Sequence, residues 1–323
     1  MREIFEYHSK IGYRFIPEVK ARIIHESGGY LVQVNKSGFR CNHDFFKQKK
    51  SPYRALLFGD SYTAGNGVSN LNRYGDVLEK QIPQLEVFNF GLPGTGTDQQ
   101  YIAYKEYAKD IDHDILILGV LVENIRRVNA HYRRFVNFEN KVQYRAKPYF
   151  EIVNEQLVLK NQPVSKKVLN ANELSGKSVD KGGRFPLLGK IAKKWNLKHT
   201  IQKYLHYQPF PEYNSCTDKW KLLSAILKEW ISDSPKPVLV VPIPVYHYIE
   251  GISNACHYQN RFEELRQETG CILHDPLPTL RKYSDKEKRE FRFKHDTHLT
   301  SKGHKALAES IVPKLRDLLL IKE

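Results

Sequence analysis

Four separated stretches of the chain hold residues that together could carry out acyl transfer. Ser61 stands in Gly59-Asp60-Ser61-Tyr62-Thr63-Ala64-Gly65-Asn66-Gly67-Val68. A serine hydroxyl attacks a carbonyl only after a neighbouring base takes its proton. The candidate base is His298, in Lys294-His295-Asp296-Thr297-His298-Leu299. Asp296, two residues earlier, is placed to orient the ring and stabilise the imidazolium. The oxyanion that such an attack creates needs hydrogen-bond donors. The candidates are the Ser61 backbone N–H, the Gly91 backbone N–H and the Asn124 side-chain amide. Each has a plain structural alternative: a turn serine, a glycine that merely permits a turn, a capping asparagine. Asp60 is expected to support its loop, His304 to pack at the start of the last helix, and Glu123 to face solvent or assist substrate binding.

These residues must be positioned by regular elements. Ala55 to Phe58 is an apolar run of the length of a buried parallel strand, ending at the Gly59-Asp60-Ser61 turn. Glu86 to Phe90 reads as a second strand, closed by Gly91-Leu92-Pro93-Gly94-Thr95-Gly96-Thr97, with Thr97 or Asp98 as the cap of the following helix. Asp114 to Val122 is the clearest buried strand and leads into Glu123-Asn124. Further strands are expected at Val238 to Pro244 and Cys271 to Asp275. Helices are expected over 218–232, over 257–269 with Gly270 as C-cap, and from Ser301. This alternation implies an α/β fold with a mostly parallel sheet covered on both faces.

The alternation stops between Arg126 and about Tyr213, where a hairpin at 149–159 and a lysine-rich, partly mobile stretch around Gly182-Gly183 are expected. The net charge is +15, and residues 126–206 hold 18 Lys and Arg against five Asp and Glu. That local balance of +13 leaves the rest of the chain at about +2, so the excess is a property of one segment and suits an anionic partner. No nucleic-acid motif accompanies it, which argues against a nucleic-acid partner. No run approaches the roughly 20 apolar residues of a membrane span. The start lacks the apolar centre of a secretory signal. The four cysteines, Cys41, Cys216, Cys256 and Cys271, have neither metal nor redox spacing and are expected to be reduced. A cytoplasmic protein without metal or cofactor is the resulting expectation.

The string Gly-Asp-Ser-x-Thr-x-Gly-x-Gly-Val after a strand resembles the nucleophile block of the GDSL or SGNH hydrolases. That family is named for Ser, Gly, Asn and His in four blocks, which Ser61, Gly91, Asn124 and His298 match in order. Two blocks depart from the usual pattern. The third reads Val122-Glu123-Asn124-Ile125 where Gly-x-Asn-Asp is common. The last has His295 where Asp-x-x-His would place the acid, leaving Asp296 for that role, as in some relatives of polysaccharide acetylation. The segments Gly12-Tyr13-Arg14-Phe15-Ile16-Pro17 and Asn35-Lys36-Ser37-Gly38-Phe39-Arg40 resemble the lead-in of bacterial SGNH proteins, for which edge packing is the expected role.

The resemblance implies a flavodoxin-like three-layer α/β/α sandwich with a basic insertion. Residues 1–53 would be the lead-in, 54–125 and 214–323 the hydrolase domain, and 126–213 the insertion. It also implies hydrolysis of a small acyl ester, in the first instance acetyl on a carbohydrate. Transfer of the acyl group to a sugar hydroxyl is the first alternative, and a non-catalytic glycan-binding protein on the same scaffold the second. The insertion leaves the core right after Asn124-Ile125, so Arg126 and Arg127 are the expected substrate-binding residues. Arg133 and Arg134 would lie nearby, with Tyr132 and Phe135 to stack on a ring. Guanidinium groups favour an acidic glycan or a nucleotide-linked sugar.

Overall fold

The computed structural model describes residues 3–136, 141–174, 178–180, 202–214 and 217–321. The stretch around Gly182-Gly183 and Cys216 lie outside the described residues. Five strands form the central sheet: β1 (Tyr53–Gly59), β2 (Leu85–Asn89), β3 (Ile115–Leu121), β4 (Val238–Ile243) and β5 (Ile272–Leu273). They lie in the order β2-β1-β3-β4-β5, every pair parallel. All seven residues of β3 are buried, the pattern of a strand covered on both faces. The last strand is shorter than the apolar run implied, since only Ile272 and Leu273 pair with β4.

Among the described residues the helices of eight residues or more are α1 (Tyr74–Gln81), α2 (Thr97–Tyr107), α3 (Asp218–Asp233), α4 (Cys256–Thr269) and α5 (Ser301–Leu318). α1 packs against α5, while α2 packs against α3 and α3 against α4. Two adjacent residues of β1 show the layering, because successive strand side chains point to opposite faces. Leu57 lies against Gly75 of α1. Phe58 meets Tyr104 of α2 at 5.8 Å and Trp230 of α3 at 5.2 Å, edge to face. Such ring pairs are worth about 0.5–1.5 kcal/mol each beyond the area they bury.

Helix ends follow local chemistry, with one departure. Gly270 closes α4 at φ 69, where a glycine avoids left-handed strain. Thr300 caps α5 by accepting the Gly303 N–H. At α2 the cap position is Gly96, not Thr97 or Asp98. Asp98 is fully buried and pairs instead with Lys147, itself 3% exposed. That pair joins positions 49 residues apart in the chain, which no local capping rule could foresee.

Between residues 126 and 213, Tyr149–Val153 and Gln156–Lys160 form an antiparallel hairpin. Its turn residues Asn154 and Glu155 both have positive φ, the requirement of a two-residue type I′ turn. A second small sheet runs Val168–Leu169, Val142–Ala146, Tyr132–Val136, Val179–Asp180. The lead-in contributes two hairpins, Phe5–His8 with Gly12–Phe15 and Lys20–Ile23 with Tyr30–Gln33. Cys41, Cys256 and Cys271 are free thiols. Among the described residues no helix is long and apolar enough to cross a membrane.

Candidate active site

In this strand order the chain switches direction between β1 and β3, and open α/β sheets bind ligands at the carboxyl ends beside such a switch. Ser61 follows β1 and Asn124 follows β3. The sheet topology therefore brings two residues 63 positions apart to the same end of adjacent strands.

Ser61 opens a one-turn helix, Ser61–Ala64. Asp60 caps that turn by accepting the Tyr62 N–H at 3.0 Å. The turn is tight enough that a Cβ at Gly59 would lie 2.0 Å from Thr63 Oγ1 and 2.8 Å from the Gly119 carbonyl of β3. Gly91 meets the same turn from β2, where a Cβ would sit 2.4 Å from the Ala64 backbone nitrogen. Both positions require glycine for the turn to seat between the strands. The Ser61 N–H, at the first position of the helix, has no acceptor among the described residues.

The Ser61 hydroxyl lies 2.8 Å from His298 Nε2. His298 Nδ1–H donates to Asp296 Oδ1 at 2.5 Å, and the His298 backbone N–H donates to the same oxygen at 3.1 Å. Burial works to raise the Asp296 carboxyl. The hydrogen bonds from His298, the His298 charge and the contact with His25 outweigh it and hold the group well below the usual carboxylate range. The Tyr62 hydroxyl donates to the Thr297 carbonyl at 2.8 Å, joining the serine turn to the histidine loop. His304 is elsewhere: it is fully buried at the start of α5, where Nδ1 accepts the Tyr74 N–H at 3.3 Å.

Asn124 sits in the short 3₁₀ turn Val122–Arg126, is fully buried, and neither its Oδ1 nor its Nδ2 has a hydrogen-bond partner among the described residues. An unpaired buried amide costs about 1–3 kcal/mol, a cost that an acceptor placed beside it would offset. The Gly91 N–H, in contrast, is already donated to Asn89 Oδ1 at 2.8 Å. Three residues further along the same loop, Gly94 has φ 75, and its N–H has no acceptor among the described residues. The signal for Gly94 lay in the Gly91-to-Thr97 run, but a run of glycines does not say which N–H stays free.

The two arginines expected to bind substrate have internal partners. Arg126 Nε donates to Glu212 Oε1 at 2.7 Å, its Nη2 donates to the Pro209 carbonyl, and its guanidinium lies over Phe210. Arg127 Nη1 donates to Asp60 Oδ2 at 2.7 Å, which braces the cap of the serine turn, and its Nη2 reaches Glu123 at 3.5 Å. Arg133 lies against Gly94 and donates to the Pro93 carbonyl at 3.0 Å.

The lead-in does more than pack at an edge. Arg40 is buried and donates to the carbonyls of Ala64, Gly65 and Val68, pinning the chain that leaves the serine turn. Glu26 accepts the backbone N–H groups of Lys294, His295 and Asp296. No periodicity or motif spacing could have found contacts that span some 270 positions of the chain.

No family model matches the chain, and no curated protein matches it. Among solved structures it is similar to a member of the lipolytic protein G-D-S-L family from Veillonella parvula, at 12% identity over 80% of this chain and 96% of that one, with a TM-score of 0.42. A second is an acetyl xylan esterase, at 14% identity over 81% and 99% with a TM-score of 0.45. An acetyl xylan esterase from Geobacillus stearothermophilus is similar at 11% identity over 84% and 97%, also with a TM-score of 0.45. The chain thus has structural neighbours among G-D-S-L lipolytic proteins and acetyl xylan esterases.

Proposed function

We propose that this protein is a serine hydrolase of the SGNH type that cleaves a small acyl ester, acetyl in the first instance, on a carbohydrate. The observation that carries the reading is the continuous chain of hydrogen bonds from Ser61 Oγ through His298 to Asp296. His298 Nε2 takes the Ser61 proton as Oγ attacks the ester carbonyl, and Asp296 stabilises the imidazolium. The Ser61 N–H, the Asn124 amide and a loop N–H hold the oxyanion. Gly94 is the better loop donor, because the Gly91 N–H is committed to Asn89. His298 then protonates the leaving alcohol. A water deprotonated by His298 releases the acid from the acyl-enzyme. The same acyl-enzyme would serve transfer to a sugar hydroxyl, and product analysis with a sugar acceptor separates the two outcomes.

The test is turnover of p-nitrophenyl acetate by wild type and Ser61→Ala. Loss of activity in the variant supports the reading. Equal activity in the two proteins rules out Ser61 as nucleophile, and no activity in either favours a glycan-binding protein.

An anionic group on the substrate would meet Arg133 and Arg145 rather than Arg126 and Arg127, which Glu212 and Asp60 engage. Arg133 and Arg145 face each other across two strands and both approach the Phe135 ring, at 5.2 and 5.3 Å. Among the described residues neither pairs with a carboxylate, and Arg145 Nε is buried without a partner. A carboxylate or phosphate on the substrate would relieve the repulsion between the two cations. Arg145→Gln should remove any preference in kcat/KM for an acetylated glucuronoside over the neutral glucoside, and no preference in wild type would overturn the assignment.

A further inference from the structure

Asp296 has two carboxylate oxygens, and His298 uses only one of them. The other, Oδ2, lies 3.3 Å from His25 Nε2. His25 belongs to the loop between Lys20–Ile23 and Tyr30–Gln33, at the opposite end of the chain. Its tautomer follows from its neighbours. Nδ1 accepts the Ser27 backbone N–H at 3.3 Å and lies 3.0 Å from the Ser27 hydroxyl. A neutral His25 therefore carries its proton on Nε2, which donates to Asp296.

The ring has little freedom to leave. It packs edge-on against Phe293 at 4.5 Å and against Tyr30 at 5.7 Å. Gly67, at φ 89, lets the chain pass close: a Cβ there would lie 2.4 Å from Phe293 and 3.2 Å from His25. The adjacent Glu26 holds the backbone of the same target loop, accepting the His295 and Asp296 N–H groups at 2.9 and 2.8 Å. One dipeptide thus grips both the side chain and the backbone of the segment that bears the acid.

We propose that His25 is a positioning residue for the Asp296–His298 pair. It fixes the second carboxylate oxygen, so that Oδ1 stays aimed at His298 Nδ1. The inference rests on the serine-hydrolase reading. A carboxylate anchored at one oxygen turns about a broad torsion, and about a third of the Asp296 side chain is exposed to water that would compete for Oδ1. With Oδ2 held by a packed ring, that rotation is closed. The lead-in becomes a working part of the site, and the chain's two ends meet at the acid.

The experiment compares His25→Leu with His25→Gln, whose amide can still donate to Oδ2. For p-nitrophenyl acetate, His25→Leu should lower kcat on the order of 10–100-fold with little change in KM, as expected for slight misplacement of a catalytic group. His25→Gln should recover most of that loss. Equal impairment of the two variants would reduce His25 to a packing residue, and unchanged kcat in His25→Leu would overturn the proposal.

A second readout does not depend on turnover. In the Ser61→Ala background, proton NMR should show the low-field His298 Nδ1–H line in the parent and in His25→Gln, broadened by exchange in His25→Leu. A line unaffected by His25→Leu refutes the positioning role even if Ser61 is not the nucleophile. Full esterase activity in Ser61→Ala, with the line still dependent on His25, refutes the hydrolase reading and leaves the His25 contact standing.

Discussion

The two halves of the site are held in different ways. Ser61 and Asn124 stand at the ends of adjacent strands whose backbones are paired residue by residue, from Ala55 with Ile115 to Gly59 with Gly119. Moving either would disturb the sheet. His298 and Asp296 lie in an irregular loop before α5, outside the parallel sheet. That loop is held by the Tyr62 hydroxyl, the Glu26 carboxylate and the His25 ring. The serine side is rigid because the core is rigid. The histidine side is rigid only while a few side chains from distant parts of the chain stay in place. Changes to the strand backbone around the serine should therefore cost packing as well as chemistry, whereas truncating a side chain there, or a contact behind the histidine, should act on chemistry more than on global stability.

The sharpest test removes the acid and leaves the shape. Asp296→Asn should reduce kcat by about 10⁴-fold, because the imidazole loses its tautomer and its counter-charge. Steady-state kinetics on p-nitrophenyl acetate measures it. Near-normal turnover would move the acid elsewhere or reduce the site to a serine–histidine pair.

On the sheet side, Asn124→Ala should lower kcat roughly 10²–10³-fold, the usual effect of losing one oxyanion donor. Thermal unfolding should be little affected, because the amide removed has no partner among the described residues. A large drop in Tm with unchanged kcat would make Asn124 a structural residue and undo the contrast between its orphaned amide and the committed Gly91 N–H.

Behind the histidine, Glu26→Ala leaves three backbone N–H groups without their acceptor. We expect kcat to fall by on the order of tenfold, since a small displacement of the acid already weakens catalysis. Amide exchange across 294–296 should rise while exchange in β1 and β3 stays protected, because local opening here does not require the sheet to open. Equal loosening of strands and loop would show that the two halves form a single cooperative unit.

The smallest effect concerns stability alone. Burial, which Arg40 and Arg73 reinforce and Asp76 opposes, pushes the His304 imidazole down to about 3 from its ordinary 6.5. The unfolded chain therefore binds a proton that the folded chain refuses between those values. Stability should fall as pH drops through that window, with a slope from this residue of up to about 1.4 kcal/mol per pH unit. His304→Gln should flatten the decline between pH 6.5 and 5 in denaturant melts. An unchanged slope would assign the acid sensitivity to other groups, among them His274, which burial holds at about 4.

Much of the core was legible from local pattern. The runs 55–58, 114–122 and 238–244 are largely apolar because both faces of a parallel strand are buried, and each overlaps a strand of the sheet, Tyr53–Gly59, Ile115–Leu121 and Val238–Ile243. Trp220, Leu223, Leu227 and Trp230 repeat at helical spacing, and all four are buried in α3. Asp296 and His298 were legible as neighbours, since two positions along a loop suffice for a carboxylate to fold back onto a ring. The capping of α2 was not, because Asp98 answers to Lys147, a residue far along the chain and buried beside it.

What the residues determined alone is the chemistry on offer: a serine after a strand, a histidine with an acid beside it, and an asparagine where the third strand ends. Backbone propensity and burial pattern are local properties, and they suffice to place those groups on their elements. Which donors remain available was decided only by the tertiary structure. Folding engages the Gly91 N–H with Asn89 and the guanidinium groups of Arg126 and Arg127 with Glu212 and Asp60, and among the described residues it leaves the Asn124 amide without a partner. A hydrogen bond depends on angstroms between atoms, not on distance along the chain. The same reason hid His25 and Glu26, whose contacts with the acid's loop exist only once the two ends of the molecule have met.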